Sequence, residues 1–512
     1  MNNHEIHPRK FTVFLVLFAA AMILPYAVAG ITGGDTHVFG GFLLNPLDGN
    51  SYLAKMQQGA GGSWRFTLPF TAEPGQGAFI FLFYLTLGHL CRLTGLPLIW
   101  VFHIWRVAGG LFLVFSLRQF FQYIFGDDIK TAWRAFVLAG IGSGLGWTVF
   151  VFGQMTGDFW VAEAYPFLSS YANPHFPIGL GLMLWILLFA FGGKRGYWQI
   201  AGLALLLGVI MPFGVAIVCM VLAGMALLDY VKERKANVLP LILTGVFGGA
   251  MIAYQVGVTI WDPVFASWNA QNVTPATAWW DFLLSFSPVL LVAAMGMMLA
   301  RKEIRQEKVV LLAVWLVGAV VLILLPVRLQ RRFVLGLYIP LAGLGVYGCK
   351  VLAKRLKVSP ARIYKLVLWL SIPTNVVLLL AGVLGAASKN PMIYLTQAEE
   401  DALRWLANQP AGECLVLAAP QLSLYVPGRS GCKVMYGHPY ESVNAQQEEA
   451  RVEAFYQGNL SEEEAWAYLL ENRIDLIVYG EREADLGSPK ILQALPVVFE
   501  AAEVRVYSVE NP

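Results

Sequence analysis

Charge is what this chain has least of. Only 13% of its 512 residues are Asp, Glu, Lys or Arg, about half the share carried by soluble domains. Hydrophobic residues make up 57% and the mean hydropathy is +0.60. A soluble fold is excluded, a multi-spanning membrane protein is implied, and no nucleic-acid partner is expected. Cysteine is scarce too, at five residues. Cys91, Cys219 and Cys349 lie in or beside apolar runs, the place of small inert thiols. Cys414 and Cys432 are free to pair if their segment lies outside the cytoplasm. The little charge present is unevenly divided. From Thr396 onward 19 acids face 8 bases, a balance of −11, while the rest of the chain carries +14. Two compartments with different electrostatics share one polypeptide.

Apolar runs are what the chain has in abundance. Stretches fit to cross about 30 Å of hydrocarbon occur at residues 10–31, 99–122, 135–153, 174–193, 197–211, 213–231, 238–258, 282–300, 308–326, 333–350 and 364–386. Residues 197–231 are too many for one helix, and Pro212 breaks the run because proline has no backbone donor. Basic clusters mark cytoplasmic loops: Arg9-Lys10, Lys130 with Arg134, Lys194-Arg195, and residues 232–235, 301–308 and 350–365. All of them fall on one side only if 78–97 lies on the outer surface as an amphipathic juxtamembrane helix. The expected architecture is therefore an α-helical polytopic membrane protein of about eleven spans, with its N-terminus cytoplasmic and its C-terminus extracytoplasmic. Ala27-Val28-Ala29 has the form of a signal-peptidase site. The first run is read as a retained signal anchor, and its loss would leave the parity unchanged.

The expected domains are a membrane part (1–386), a linker (387–395) and a small soluble α/β domain (396–512). In the last, "TQAEEDALRWLANQ" and "LSEEEAWAYLLENR" read as capped helices and "CLVLAA", "DLIVYG" and "EVRVYSV" as strands. No nucleotide-binding glycine signature follows either core strand, so packing or acceptor recognition is the role expected of it. Three polar loops, 32–77, 154–173 and 259–281, face outward. The third is rich in tryptophan (Trp261, Trp268, Trp279, Trp280), as an interfacial aromatic belt is.

The first loop carries "NPLDGNSYLAKMQQGAGGSW". Asp48 beside Gly49 fits a turn former. It also fits a general base, because a carboxylate at an interface can activate an alcohol. The second loop holds Asp158, Glu163, Asn173 and His175. "VRLQRR" places Arg328, Arg331 and Arg332 on the outer side, against the positive-inside bias. Guanidinium groups grip phosphate bidentately, and they also snorkel or bind ordinary headgroups. The adjacent acids Asp127-Asp128 fall in a cytoplasmic loop and read as solvated.

An acid followed four residues later by Tyr52, then Gly62 and Trp64, in a first outward loop ahead of an amphipathic helix and an Arg-bearing span ("HIWRVAGGLFLVFSL"), resembles the GT-C superfamily. These are integral-membrane glycosyltransferases that use polyprenyl-phosphate sugars, such as protein O-mannosyltransferases and lipid A aminoarabinose transferases. The resemblance implies a transferase of the inner (plasma) membrane that moves a sugar, with inversion, from a polyprenyl-phosphate donor to an acceptor hydroxyl. The acceptor would be a glycan, lipid or protein on the extracytoplasmic side. Asp48 would be the catalytic base, and Arg331, Arg332 and Arg328 would hold the donor phosphate. Tyr52, Trp64 and Asn173 would contact sugar. Asp35, Glu73, Asp158, Glu163 and His175 would serve the acceptor or a divalent metal (Mg2+ or Mn2+). Many members carry adjacent acids where this chain has Asp48-Gly49, which leaves the metal unassigned. The competing classes are a transporter or flippase of lipid-linked glycan, which needs charge buried mid-span, and a non-catalytic membrane anchor.

Overall fold

A computed structural model describes residues 7–192, 196–300, 308–409 and 414–509. The basic pair Lys194-Arg195 and residues 301–307 of the 301–308 cluster lie outside the described residues. Among those described, five helices are long and apolar enough to cross a membrane: Pro8–Thr32, Leu98–Phe125, Pro212–Glu233, Leu239–Trp261 and the continuous stretch Pro360–Ala387. A sixth path is the pair Trp279–Phe286 and Val289–Leu299, bent by 86°, and three shorter apolar helices are His175–Phe191, Tyr197–Ile210 and Val310–Leu324. The chain is a multi-pass membrane protein. Pro212 occupies the first position of its helix, with Met211 at the break, which is where proline's missing donor costs nothing. The run at 135–153 is helical only as the end of Ile129–Ile141 and again at Trp147–Phe150. Between them the backbone makes a close approach that only glycine allows: a Cβ on Gly144 would lie 2.1 Å from the Ser285 carbonyl oxygen.

Contacts divide the chain into two compact units. One comprises Met1–Pro25, His103–Tyr254 and Val273–Gly382; the other comprises Tyr26–Phe102, Gln255–Asn272 and Val383–Pro512. In the first unit, the segments around residues 128–134 and 350–364 meet. Asp128, read as solvated, caps the Ile129–Ile141 helix and pairs with Lys350 at 2.7 Å. Arg134 lies over the Tyr364 ring. Elsewhere in that unit, residues 273–278 and 325–334 exchange backbone bonds (Thr274 N–H to the Arg328 carbonyl, Arg331 N–H to the Thr274 carbonyl), and Gly336 N–H donates to the Glu163 carbonyl.

The second unit joins the first loop to the tail. Strand β1 (His37–Phe39) pairs antiparallel with β2 (Tyr394–Thr396). A second sheet holds β3 (Leu415–Leu417), β4 (Lys433–Val434), β5 (Leu476–Tyr479), β6 (Val497–Ala501) and β7 (Val504–Ser508) in the order β4-β3-β5-β7-β6. β3 runs parallel to β4 and β5, and β7 antiparallel to β5 and β6. Alternation along each strand splits its apolar residues between two cores. Val416, Val478 and Val506 face one, while Leu417, Ile477 and Tyr507 face the other. Thr396 and Ser461 close capping boxes with Glu399 and Glu464 at the starts of Gln397–Leu406 and Glu462–Glu471. Cys414 and Cys432 are bridged. The polar loop 32–77 holds a helix, Pro46–Ala60, and 78–97 forms Leu82–Thr94, whose 13 residues are too few to cross a membrane.

Candidate functional site

Asp48 sits in the first turn of the Pro46–Ala60 helix. Asn45 adopts the left-handed conformation at the cap (φ 49°), which Asn tolerates better than most residues, and Pro46 presets the first turn. The Asn45 amide donates to Asp48 Oδ2, and its side-chain oxygen accepts the Asp48 N–H at 3.4 Å. A carboxylate at a helix N-terminus also faces the positive end of the helix dipole. The helix is held by close contact with Leu82–Thr94: a Cβ on Gly88 would lie 2.0 Å from the Met56 carbonyl oxygen, and one on Gly59 2.2 Å from that of Leu85. Gly49 has a separate constraint. Any Cβ there would lie 2.4 Å from ring carbons of Phe42, so a second carboxylate next to Asp48 has no space.

The Asp48 side chain keeps 40% of its surface exposed, enough to meet a substrate. One face of the same helix continues through Ser51 and Lys55. Lys55 is fully buried. Its ammonium donates to Glu441 Oε1 at 2.7 Å and to Ser51 Oγ at 2.6 Å, and lies 4.4 Å from the Phe81 ring centre. Ser51 Oγ donates to the same Glu441 oxygen at 2.6 Å. Burial pushes the Glu441 carboxyl up, but the Lys55 ammonium and the hydrogen bonds from Lys55 and Ser51 outweigh it and hold the group below its ordinary value. His438 is 2% exposed, with Nε2 3.7 Å from Asp48 Oδ1. Tyr52 stacks on Tyr84 (4.3 Å, 7°). Burial, then Tyr52, then the Asp48 carboxylate keep the Tyr84 phenol protonated well above its usual range. Trp64, 48% exposed, stacks on His89 at 3.9 Å. Asp35 and Glu73 are exposed, in the turn before β1 and in the 67–78 segment.

The remaining candidates belong to the other unit. Asp158 is wholly buried. Its carboxylate accepts from Thr156 Oγ1 at 2.6 Å, Thr374 Oγ1 at 2.9 Å and Gly146 N–H at 3.1 Å. Burial pushes this carboxyl up, and those bonds pull against the shift. Asp281, singled out by no sequence signal, repeats the pattern: it accepts from Gly157 N–H at 2.8 Å and Ser285 Oγ at 2.7 Å. Both acids tie a broken helix to its neighbours, because backbone freed at a break must find partners in protein. Asp158→Ala, which orphans the Thr156 hydroxyl and the Gly146 N–H while Thr374 Oγ1 keeps the Gly144 carbonyl as acceptor, is expected to cost about 1–3 kcal/mol per orphaned group. A thermal melt of the purified protein checks this, and Asp158→Asn should lose less.

Glu163 is buried and pairs with Arg332 at 3.3 Å. Arg331 lies 4.7 Å from the Trp160 ring centre and lines a cavity of ≈ 10 Å3 with Gly157, Tyr165 and Thr277, room for about one water. Arg328 is exposed. Asn173 is buried at the end of Pro166–Ala172, and half-buried His175 opens the next helix against Phe176. Among the described residues no three His, Cys, Asp or Glu side chains gather closely enough to hold a metal ion.

Lys55, Glu441 and His438 were not legible beforehand. Lys55 follows Asp48 by seven residues, two helical turns, and that is a usable signal once the loop is known to be helical. Glu441 and His438 come from "YGHPYES", a turn-rich stretch of the tail whose relation to Asp48 spans about 390 residues of chain.

A scan against protein-family models finds no match, and no curated protein matches. Solved structures do. The apo oligosaccharyltransferase of Archaeoglobus fulgidus superposes with a TM-score of 0.56 at 13% identity, over 94% of this chain and 71% of that one. The oligosaccharyltransferase AglB of the same organism, in complex with an inhibitory peptide and a dolichol-phosphate, gives 0.52 at 12%, over 90% and 69%. ArnT from Cupriavidus metallidurans bound to undecaprenyl phosphate gives 0.48 at 13%, over 97% and 98%. These neighbours are GT-C superfamily glycosyltransferases, and the likeness to the oligosaccharyltransferase shows the GT-C fold.

Proposed function

We propose that the protein is a membrane glycosyltransferase that moves a sugar from a polyprenyl-phosphate carrier to an acceptor hydroxyl on the extracytoplasmic side. The observation that carries this is the half-exposed carboxylate of Asp48, capped and aimed at a helix start, in a chain whose fold is that of an oligosaccharyltransferase. Asp48 takes the acceptor proton. The acceptor oxygen attacks the anomeric carbon from the face opposite the carrier, so the configuration inverts. The bond from that carbon to the phosphate oxygen breaks, and polyprenyl phosphate leaves with the bonding electrons. The proton on Asp48 then passes to water through its exposed side.

Arg331 and Arg328 grip the donor phosphate, and Arg332, anchored on Glu163, steadies that segment. Tyr52 and Trp64 are assigned to the sugar, and Asp35 and Glu73 to the acceptor. Asp158 belongs to the scaffold, its oxygens being occupied. Mg2+ and Mn2+ take oxygen-rich ligand sets. Asp48 has an imidazole beside it and no space for a carboxylate at position 49. That donor set does not fit those ions, and no step runs through a metal. The protein is placed in the cell membrane with its N-terminus inside and its tail outside, which the Cys414–Cys432 bridge supports, since such bonds persist in oxidising compartments.

The test uses purified full-length protein, polyprenyl-phosphate mannose and polyprenyl-phosphate arabinose as donors, and envelope lipids and glycans as acceptors, with release of polyprenyl phosphate as readout. Release that depends on acceptor supports the proposal. Transbilayer movement of intact donor without release would replace it with a flippase, and absence of donor binding would leave a scaffold. Arg331→Ala is expected to raise KM for the donor about 10- to 100-fold with a smaller change in kcat, the loss of one charge-assisted contact.

A further inference from the structure

We infer that His438, supplied by the tail, is a positioning residue for Asp48: its Nε2–H holds one carboxylate oxygen while Asn45 holds the other. The inference rests on the assignment of Asp48 as the acceptor base. Four observations carry it.

The first is the tautomer. The Tyr440 backbone N–H donates to His438 Nδ1 at 3.1 Å. That nitrogen must therefore offer a lone pair, and in a neutral imidazole the proton then sits on Nε2. Nε2 is the atom that faces Asp48 Oδ1 at 3.7 Å. The second is burial. The ring is 2% exposed, and Nε2 makes no hydrogen bond to any described residue. A buried donor left this way costs free energy, and a small rotation of the half-exposed Asp48 side chain closes the gap. Catalytic hydrogen bonds are often long until substrate is seated.

The third is rigidity. The Ser442 hydroxyl accepts from the backbone N–H groups of Gly437 and His438, each at 3.3 Å, and Phe70 packs against the imidazole at 5.8 Å between ring centres. The fourth is anchoring. Three residues on, Glu441 clasps Ser51 and Lys55, one and two turns along the helix that Asp48 begins. The tail segment is thereby registered on that helix, and the imidazole is held at the level of the carboxylate. With both oxygens held from the protein side, the carboxylate is fixed in one orientation with 40% of its surface exposed. That orientation is what a proton acceptor needs, and a misplacement of about 1 Å can cost on the order of 100-fold.

The experiment compares native protein with His438→Ala, His438→Gln and Asp48→Asn in the donor assay described above, measuring kcat, KM for polyprenyl-phosphate sugar and the thermal melt. His438→Ala is expected to lower kcat about 10- to 100-fold with donor KM changed less than about twofold. Glutamine places an amide N–H at similar reach and should recover a large part of that loss. Wild-type kcat in His438→Ala would overturn the inference. So would a glutamine variant no better than alanine, whether or not the alanine protein melts early. If Asp48→Asn abolishes transfer while His438→Ala is unaffected, the base assignment stands and the positioning role falls. If Asp48→Asn retains full activity, the base assignment itself falls.

Discussion

Asp48→Asn should abolish sugar transfer, lowering kcat by about 10²- to 10⁴-fold, the usual worth of a positioned general base, while donor affinity stays within about twofold. The substitution is nearly isosteric, so the helix cap is retained: Asn45 still bonds the side chain and the backbone N–H at the start of Pro46–Ala60. What is lost is the ability to accept a proton. The carboxylate owes its availability to position. It is held by Asn45 on one side and reached by His438 on the other, yet 40% of it is exposed, whereas Asp158 is enclosed with both oxygens accepting from backbone and hydroxyl donors and Asp281 is buried with Oδ1 taken by Gly157 N–H and Ser285 Oγ. A full-strength Asp48→Asn enzyme would move the search for the base elsewhere. A variant that loses donor binding along with turnover would mean that Asp48 acts on the carrier, not the acceptor.

Lys55→Met should destabilise the unit formed by the first loop and the tail by about 3–5 kcal/mol, the cost of leaving one partner of a buried ion pair uncompensated. Methionine has an unbranched stem of similar length and reaches toward the rings of Tyr52, Phe66 and Phe81 that surround the ammonium, so packing is roughly kept and the charge is removed. Glu441, with a side chain 12% exposed, is then buried without its ammonium. The double variant Lys55→Met with Glu441→Leu should recover much of the loss, because two apolar groups in place of a buried pair are often neutral. Hydrogen exchange of the tail helices and a thermal melt of the full chain measure both. The pH dependence follows from Glu441. Its folded value lies below the ordinary carboxylate value, so its contribution is complete at neutral pH and is lost as pH falls from the ordinary glutamate value through the folded one. The native protein should lose stability there, and Lys55→Met should show a shallower acid limb. An unchanged melt in the single variant would remove the ion pair from the account of what joins loop and tail.

Part of this was legible in the residues. The apolar runs and low charge require a membrane, and Pro212 marks the break it makes. Thr396 and Ser461 announce their helices because capping is a local act, completed within four residues. Asp48 and Tyr52 stand out because a polar loop interrupts greasy sequence. Other features were hidden for physical reasons. The polar stretch 46–60 is a helix that buries a lysine, and its weak amphipathicity disguised it as loop. Asp158 looked like a site residue because an acid in a loop is conspicuous, and only three-dimensional packing reveals that its oxygens are filled. Gly49 looked like a departure from a motif, and the Phe42 ring explains why nothing larger fits.

Short-range chemistry was therefore decided by the sequence itself: which segments are too apolar for water, where helices begin, and where proline stops them. These depend on neighbours a few residues apart and on transfer free energies that each side chain carries with it. The pairing of β1 with β2, the clasp of Glu441 on Lys55 and the approach of His438 to Asp48 were decided only by the tertiary structure. Each joins residues more than 350 positions apart through a few directional contacts, and no periodicity along the chain records which distant partner a buried charge will find.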